Sequence, residues 1–393
     1  MKETTNHDSG SGETAALVAK LTAYLDEDIG SARALPMEMY TSQALLDAEV
    51  EHVLKRDWLC VGRLEQVEAP GDYFTVELFG EPVVIVRDRD GVLRAMSAVC
   101  RHRYYSVVEG AGNAKVFTCP YHRWGYGLDG CLRGAPHMDS VEELKKRGQS
   151  DRLPQFGLET WQGFIFVNLD PNAEPLAPRL ADAQPHWSAL GIEEWRVSPW
   201  VDEVWPGNWK LAMETALEGY HVNGLHPETF ASFMPSRGTR FEATSEQWTL
   251  FRMETVYTGE YEAYRPFAER LPEKDQTTAP QFGFFPNCAV SCSQFSAIWL
   301  TFLPLDVGRT RVIGGNLVPP DLYKMMQEND ALREGNAASI DQINSEDASA
   351  MVGLQRNAGS AHAEPGLLSE MERCLLYFYR YLAQRLEKGG TAK

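Results

Sequence analysis

Four residues set in two short pairs carry the clearest chemistry in the chain: Cys100-Arg-His102 and, sixteen residues further on, Cys119-Pro-Tyr-His122. Each pair offers one thiolate and one imidazole. Glycines at 110, 112, 125, 127 and 130 let the backbone turn tightly around whatever is held. Such a set fits a tetrahedral zinc ion, or a binuclear [2Fe–2S] cluster with two Cys on one iron and two His on the other. Cys-x-His is an unusual zinc knuckle, and a mixed pair on each of two loops suits the binuclear cluster better. Unconnected core cysteines and histidines would not gather four ligand types in two tight pairs.

A second constellation lies in residues 208–230, NWKLAMETALEGYHVNGLHPETF, where Glu218, His221 and His226 are spaced E-x-x-H-x-x-x-x-H. On a helix Glu218 and His221 share a face. His226 would fall about 140° further round, so a regular helix cannot offer both imidazoles to one metal. Asn223-Gly224 and Pro227 are the residues that would bend the chain and bring His226 back. Two imidazoles plus a carboxylate with open positions make the facial triad of mononuclear non-haem Fe(II) sites that bind O₂. The carboxylate must come from elsewhere, among Asp306, Asp321, Asp330, Asp341, Glu346 and Asp347.

The elements that position these groups are legible in outline. Residues 1–13 are polar, with Gly and Ser and no periodic apolar positions, and are expected to be disordered. Apolar residues at helical spacing predict a helix over 13–25, and a second over 43–57, with His52 at the surface. From 58 to 100 the pattern becomes β-branched and aromatic alternation broken by Pro70-Gly71, Gly80 and Asp90-Gly91, which predicts short strands and tight hairpins. A small antiparallel β domain at 45–160 is the natural container for the Cys/His loops, with a larger metal domain at 161–393 and a tail and helix at 1–44. The segment 337–357 reads as helical.

Composition narrows the class. The 393 residues, 44% hydrophobic, suffice for two domains with real cores. No apolar run is long enough to span a bilayer, and the N-terminus lacks the apolar core of a secretory signal. Seven cysteines are an odd set, two of them claimed by the Cys/His loops, so a reducing, cytoplasmic setting is expected. A formal charge of −18 argues against nucleic acid and anionic membrane surfaces as partners.

The spacing C-x-H-x(16)-C-x-x-H, the later E-x-x-H-x-x-x-x-H, the opening Asn208-Trp209-Lys210, the strand IWLTFLPL and the closing helix LSEMERCLLYFYRYLAQRL together resemble the α subunit of Rieske non-haem iron (ring-hydroxylating) oxygenases, over about residues 45–390. The resemblance implies an α+β chain: a small antiparallel β Rieske domain, then a catalytic domain whose antiparallel sheet is flanked by helices in a helix-grip, START-like fold. It implies a Rieske [2Fe–2S] cluster on Cys100, His102, Cys119 and His122. It also implies Fe(II) on His221, His226 and Asp347, since the family's Glu-Asp pair sits where Glu346-Asp347 precede AMVGLQR and the ligand is the Asp, with Glu346 as runner-up. The implied function is that of a terminal oxygenase fed by a separate reductase or ferredoxin, acting with O₂ on a small organic substrate.

Two departures are visible: Tyr104 and Arg123 stand where small residues are common in the family, and Glu218 stands where many members have a bridging Asp. Glu at that position resembles the branch acting on quaternary-ammonium compounds. By the same resemblance the productive unit is a head-to-tail homotrimer, in which Glu218 touches His221 in its own subunit and His122 in the next. The resemblance also implies monooxygenation or demethylation before ring dihydroxylation, since dihydroxylating members often carry a longer α subunit and a separate β subunit, while shorter chains more often stand alone as trimers. A protein that only passes electrons through its cluster would have no use for the second metal motif. A zinc-stabilised binding protein is the third class considered. Met213, Leu217, Phe284, Phe285, Trp299 and Met351, which flank the ligands or lie on the expected sheet, are the predicted substrate-pocket walls.

Overall fold

The computed structural model describes residues 7–147 and 151–391. The chain forms two compact units, one of residues 55–175 and one of residues 1–54 with 176–393. Sequence patterning had suggested cuts near 45 and 160. Residues 1–6 lie outside the described region. Residues 7–13, expected to be disordered, are instead the start of a helix, His7–Thr22.

In the 55–175 unit, β1 (Leu59–Arg63), β2 (Asp72–Leu78), β3 (Glu81–Arg87), β4 (Leu93–Ser97) and β5 (Ala111–Asn113) join β9 (Gln155–Trp161) and β10 (Phe164–Asn168). They form an antiparallel sheet of order β1-β10-β9-β4-β3-β2-β5. Short strands β6 (Phe117–Thr118), β7 (Gly125–Tyr126) and β8 (Leu132–Gly134) form a second, three-stranded sheet. The β3–β4 turn passes through Gly91 at φ 81° and the β7–β8 turn through Gly130 at φ 83°, a conformation only glycine adopts without cost. Between the sheets Val84, Val86, Met96, Phe117, Trp124 and Tyr126 form a core that also buries Cys100 and Cys119.

The other unit carries an antiparallel sheet of β11 (Arg196–Trp205), β12 (Arg240–Thr244), β13 (Trp248–Glu254), β14 (Thr278–Phe284), β15 (Cys288–Cys292), β16 (Ala297–Asp306) and β17 (Arg309–Val318), in the order β11-β17-β16-β15-β14-β13-β12. IWLTFLPL is β16, an interior strand. The helix Trp209–Ala216 packs on β15 and β16, and the helix Arg373–Thr391 on β12 and β13. The helix Asp330–Asn357 packs on β11 and on the Trp209–Ala216 helix. This is the α+β arrangement that the sequence predicts.

Local chemistry fixes where the Trp209–Ala216 helix begins. Asn208 is its N-cap, accepting from the Lys210 amide at 3.0 Å. The Lys210 ammonium and the Trp209 indole N–H both reach Glu49, at 2.8 and 2.9 Å, in a pair that is 1% exposed on each side. Glu49 ends the predicted 43–57 helix, which is an α-helix over Gln43–Glu49 and a wider π-turn over Val50–Leu54. His52 is half-buried against Gly389 rather than at the surface.

Candidate metal centres and the cavity beside them

The two Cys/His loops fold alike. The Cys100 amide donates to the Tyr105 carbonyl while the Tyr104 amide returns to Cys100; in the second loop Cys119 donates to Trp124 and Arg123 to Cys119. The thiols of Cys100 and Cys119 are buried and unpaired by any disulfide. The His102 and His122 rings lie 4.6 Å apart, centroid to centroid, and Trp124 stacks on His102 at 4.8 Å. Nδ1 of His102 is buried with no hydrogen-bond partner. Burial first, then the neighbouring His122 and Arg103 charges, push His102 below the ordinary histidine range, so the ring is neutral and has a lone pair to offer. An orphaned imidazole nitrogen beside two buried thiols fits a Cys₂His₂ cluster and has no evident packing use. The Tyr126 hydroxyl sits 3.4 Å from Cys100 Sγ. Tyr104 and Arg123 occupy the same place in the two loops, both left-handed, at φ 59° and 63°.

The second centre is built from three elements. The Trp209–Ala216 helix stops at Leu217, so Glu218 and His221 do not meet across a helix face as the spacing suggested. Glu218 lies in the turn that follows: its Oε2 accepts from the amides of Tyr220 and His221, the latter at 3.1 Å, and its Oε1 lies 2.6 Å from His221 Nδ1. A single short helix, Val222–Leu225, then carries the chain to His226, which leaves helical geometry at φ −117°, ψ 44°. Asn223 ties this segment down through two hydrogen bonds with Ser236. The bend expected at Asn223-Gly224 thus falls on either side of one helical turn.

From the third element, Asp347 Oδ1 stands 3.1 Å from His226 Nε2 and 4.0 Å from His221 Nε2. One ligand atom from each of His221, His226 and Asp347 lies within 4.8 Å of the other two. Glu346 does something different. It accepts from His226 Nδ1 at 2.7 Å and from Thr229 Oγ1 at 2.7 Å. Burial opposes a charge on His226, but the carboxylates of Asp347 and Glu346 outweigh it and hold that ring above the ordinary histidine range. Each imidazole is therefore oriented by a carboxylate at Nδ1 and turns Nε2 toward Asp347, the arrangement that metal-ligating histidines use.

A cavity of about 600 Å³, open solvent included, adjoins this centre. Its apolar wall includes Val222, Phe230, Met234, Phe251, Met253 and Ile298. None of the six predicted wall residues takes part; all are buried elsewhere. The reason is strand parity. Ile298 and Leu300 of β16 face the cavity, so Trp299 faces away, toward Trp200. Gln281 of β14 faces it, while Phe284 packs on Trp187, and Phe285, beyond the strand, on Phe378 and Tyr381. Leu217 packs over Gly283, Met351 over Gly207, and Met213 is fully enclosed. A second hollow, lined by Phe233, Tyr261, Tyr264 and Phe295, shares Phe230, Ile298 and Ile343 with the first.

Comparison with known proteins matches residues 57–146 to the Rieske [2Fe-2S] domain and residues 192–388 to the ring hydroxylating alpha subunit, catalytic domain. The chain belongs to the ring-hydroxylating oxygenase α-subunit family. A Rieske [2Fe–2S] cluster and a mononuclear Fe(II) are accordingly its cofactors. It is 35% identical over 219 residues to the carnitine monooxygenase oxygenase subunit of Acinetobacter pittii, a match covering 55% of this chain and 58% of that one. It is 33% identical over 210 residues to the benzene 1,2-dioxygenase α subunit of Pseudomonas putida, covering 50% and 44%. The chain thus spans less than two thirds of the curated relatives it matches. A solved quaternary ammonium Rieske monooxygenase superposes with a TM-score of 0.79 at 25% identity, over 91% of this chain and 96% of that one.

For a ring-hydroxylating oxygenase α subunit, Thr229 and Asn344 are contributors to the site that went unnoticed in the sequence, and Glu346 was read there only as an alternative ligand. Thr229 and Glu346 hold His226 from behind, and the HPETF segment was the available signal for Thr229. Alternation along β13–β16 could have picked out Phe251, Met253, Ala289, Ile298 and Leu300. Asn344, one turn before Asp347, also lines the cavity and gave no signal that distinguished it from a surface asparagine.

Proposed function

We propose that this chain is the terminal oxygenase component of a multicomponent system. Cys100, His102, Cys119 and His122 would hold the cluster, and His221, His226 and Asp347 the ferrous ion. The observation that carries the reading is the meeting of two carboxylate-oriented Nε2 atoms and one carboxylate oxygen at the edge of a largely apolar cavity. When bound, the cluster supplies single electrons from an outside reductase or ferredoxin, and the ferrous ion supplies the place where O₂ is reduced. The chain's own work is positional. Glu218 and Glu346 keep a proton on each Nδ1 and so leave each Nε2 free to ligate. The Phe230, Phe251, Met253 and Ile298 walls hold a small organic substrate and keep bulk water out.

Monooxygenation, as hydroxylation or demethylation, is favoured because the relatives named for carnitine and for quaternary ammonium substrates are monooxygenases. Cis-dihydroxylation of an aromatic ring is the second reading, supported by the benzene dioxygenase relative and the apolar walls. The deciding experiment reconstitutes the chain with a reductase and NADH, then follows oxygen uptake over quaternary ammonium and aromatic substrates under ¹⁸O₂. One labelled atom in the product supports the first reading and two support the second. Colourless protein that carries zinc and no sulfide sinks both.

We further infer a head-to-tail homotrimer in which Glu218 of one subunit also approaches His122 of the next. Exposure of His122 and of Tyr220 (58%), beside a Glu218 side chain that is 11% exposed, supports this. Mixing inactive His122→Ala and inactive Asp347→Ala subunits should restore part of the activity, and proven mixed trimers without rescue would refute it. A cytoplasmic setting is supported by seven cysteines of which none forms a disulfide. Among the described residues no helix is long and apolar enough to cross a membrane.

A further inference from the structure

Asn344 lies on the Asp330–Asn357 helix one turn before Asp347, and it lines the same cavity. It is 1% exposed, and neither Nδ2 nor Oδ1 has a hydrogen-bond partner. The other uncharged polar side chains of the wall are occupied. Ser291 Oγ donates to Gln281 Oε1 at 2.6 Å, Gln281 Nε2 donates to the Cys292 carbonyl at 2.9 Å, and Thr215 Oγ1 donates to the Leu211 carbonyl at 3.0 Å. A buried amide with donor and acceptor both unmet opposes folding. Its neighbour Ile343 shows that an apolar residue is accommodated in the same wall.

We propose that Asn344 is a specificity-determining residue whose amide takes a neutral polar group of the substrate, a hydroxyl or carbonyl. It would thereby select oxygen-bearing substrates over their hydrocarbon isosteres. The charge of the cavity narrows the class. Among the described residues no Lys or Arg lines it, and its carboxylates, Glu218 and Asp347, together offset one divalent ion. A substrate carboxylate would be desolvated there with no cation opposite it. A neutral ring or a quaternary ammonium meets apolar walls and the rings of Phe230 and Phe251. The class is therefore a small alcohol or carbonyl compound, neutral or bearing a quaternary ammonium, and lacking a carboxylate.

This inference rests on the oxygenase reading, and its test separates the two. Calorimetric binding to the fully loaded chain would compare isosteric pairs: choline with propyltrimethylammonium, and benzyl alcohol with ethylbenzene. Glycine betaine and benzoate serve as carboxylate controls. At least one pair should show a preference of about tenfold or more for the hydroxyl member, and the matching carboxylate should bind more weakly than the alcohol. In Asn344→Leu the preference should fall to within about twofold. Mononuclear iron content and the cluster signal should be unchanged, and the unfolding midpoint should equal or exceed wild type because an unmet amide is gone. Asn344→Ala is read the same way if the leucine variant does not fold. The assignment is overturned if no pair shows the preference, if the preference survives substitution, if a carboxylate binds as tightly as its alcohol, or if the variant loses iron. Selective binding with no oxygen uptake on any compound would count against the oxygenase reading alone; uptake without hydroxyl preference would count against Asn344 alone.

Discussion

Glu346 accepts a hydrogen bond from Nδ1 of His226 at 2.7 Å. The bond fixes the tautomer and tilt of a ring whose other nitrogen faces Asp347, so the adjacent acids have different duties. Glu346→Gln should weaken mononuclear iron binding by roughly 10–100-fold, as outer carboxylates on ligating histidines generally do. Asp347→Ala should abolish it. Iron titration of the apo protein, with the cluster left in place, measures both. Equal losses would mean that Glu346 ligates directly.

The cluster loops contain an unusual backbone choice. Tyr104 is 88% exposed and Arg123 is exposed too, yet both sit at positive φ, where a side chain costs roughly 1–2 kcal/mol. Glycine would relieve that strain and give back about half of the gain through a freer unfolded chain. Tyr104→Gly and Arg123→Gly should each stabilise the loaded protein by a few tenths to about 1 kcal/mol in denaturant unfolding. A loss instead would show that the two side chains make stabilising contacts of their own.

The buried Lys210–Glu49 pair joins the Trp209–Ala216 helix, which leads into the His221 segment, to the N-terminal segment. Lys210→Met leaves Glu49 charged and enclosed and should destabilise the fold by about 3–5 kcal/mol. Pairing it with Glu49→Leu should recover part of that loss, because the unpaired charge is gone while the Trp209 indole N–H loses its acceptor. Urea unfolding of the single and double variants decides it. If the double variant is no more stable than the single, the pair was not the source of the loss.

The two hollows meet at Phe230, Ile298 and Ile343. Ile343→Trp should narrow that junction, lowering kcat/KM about tenfold or more for the bulkier members of a substrate series while sparing the smallest. Iron content, measured alongside, should stay at wild type. A uniform loss across sizes would place the entry route elsewhere.

What could be read from the sequence, and what could not, divides along physical lines. Ligand residues announce themselves because few residue types bind metals and short spacings limit their geometry; Cys100, His102, Cys119 and His122 stood out as candidates for that reason, as did His221 and His226, whereas the Glu346-Asp347 pair, far away in the chain, was singled out among six acids only by resemblance to the family. Sheet and hairpin positions followed from alternation and from breaks such as Pro70-Gly71 and Asp90-Gly91. The cavity wall was not legible as chosen. Proximity in sequence to a ligand selected Met213 and Leu217, whereas the wall depends on which strand face turns inward, and one residue of parity sends Trp299 outward and Ile298 in. The helical start at His7 was hidden for a different reason, since its Ser- and Gly-rich first turns have no apolar face to display.

Glu214 offers a pH test that needs no metal. It lies just before Thr215 and Ala216 of the cavity wall and is buried, with Tyr40 Oη donating to both its oxygens at 2.9 and 3.0 Å. Burial drives its carboxyl up to about 8, against the pull of the Tyr40 hydrogen bonds and the Lys210 charge and with a further push from Glu49 and Glu372. The sign follows from linkage. Below the unfolded value of 4.5 both states hold the proton and stability is unaffected. As pH rises from there toward 8, the unfolded chain releases a proton that the folded chain retains, and stability falls by on the order of a few kcal/mol. Above about 8 the folded carboxyl also ionises and the loss levels off. Glu214→Gln keeps shape and hydrogen bonding but cannot ionise, so its stability should be flatter across this range, with its advantage over wild type largest near pH 8. Urea unfolding at half-unit steps from pH 5 to pH 9 provides the comparison. Parallel curves for the two proteins would show that Glu214 is already ionised in the folded state at pH 5.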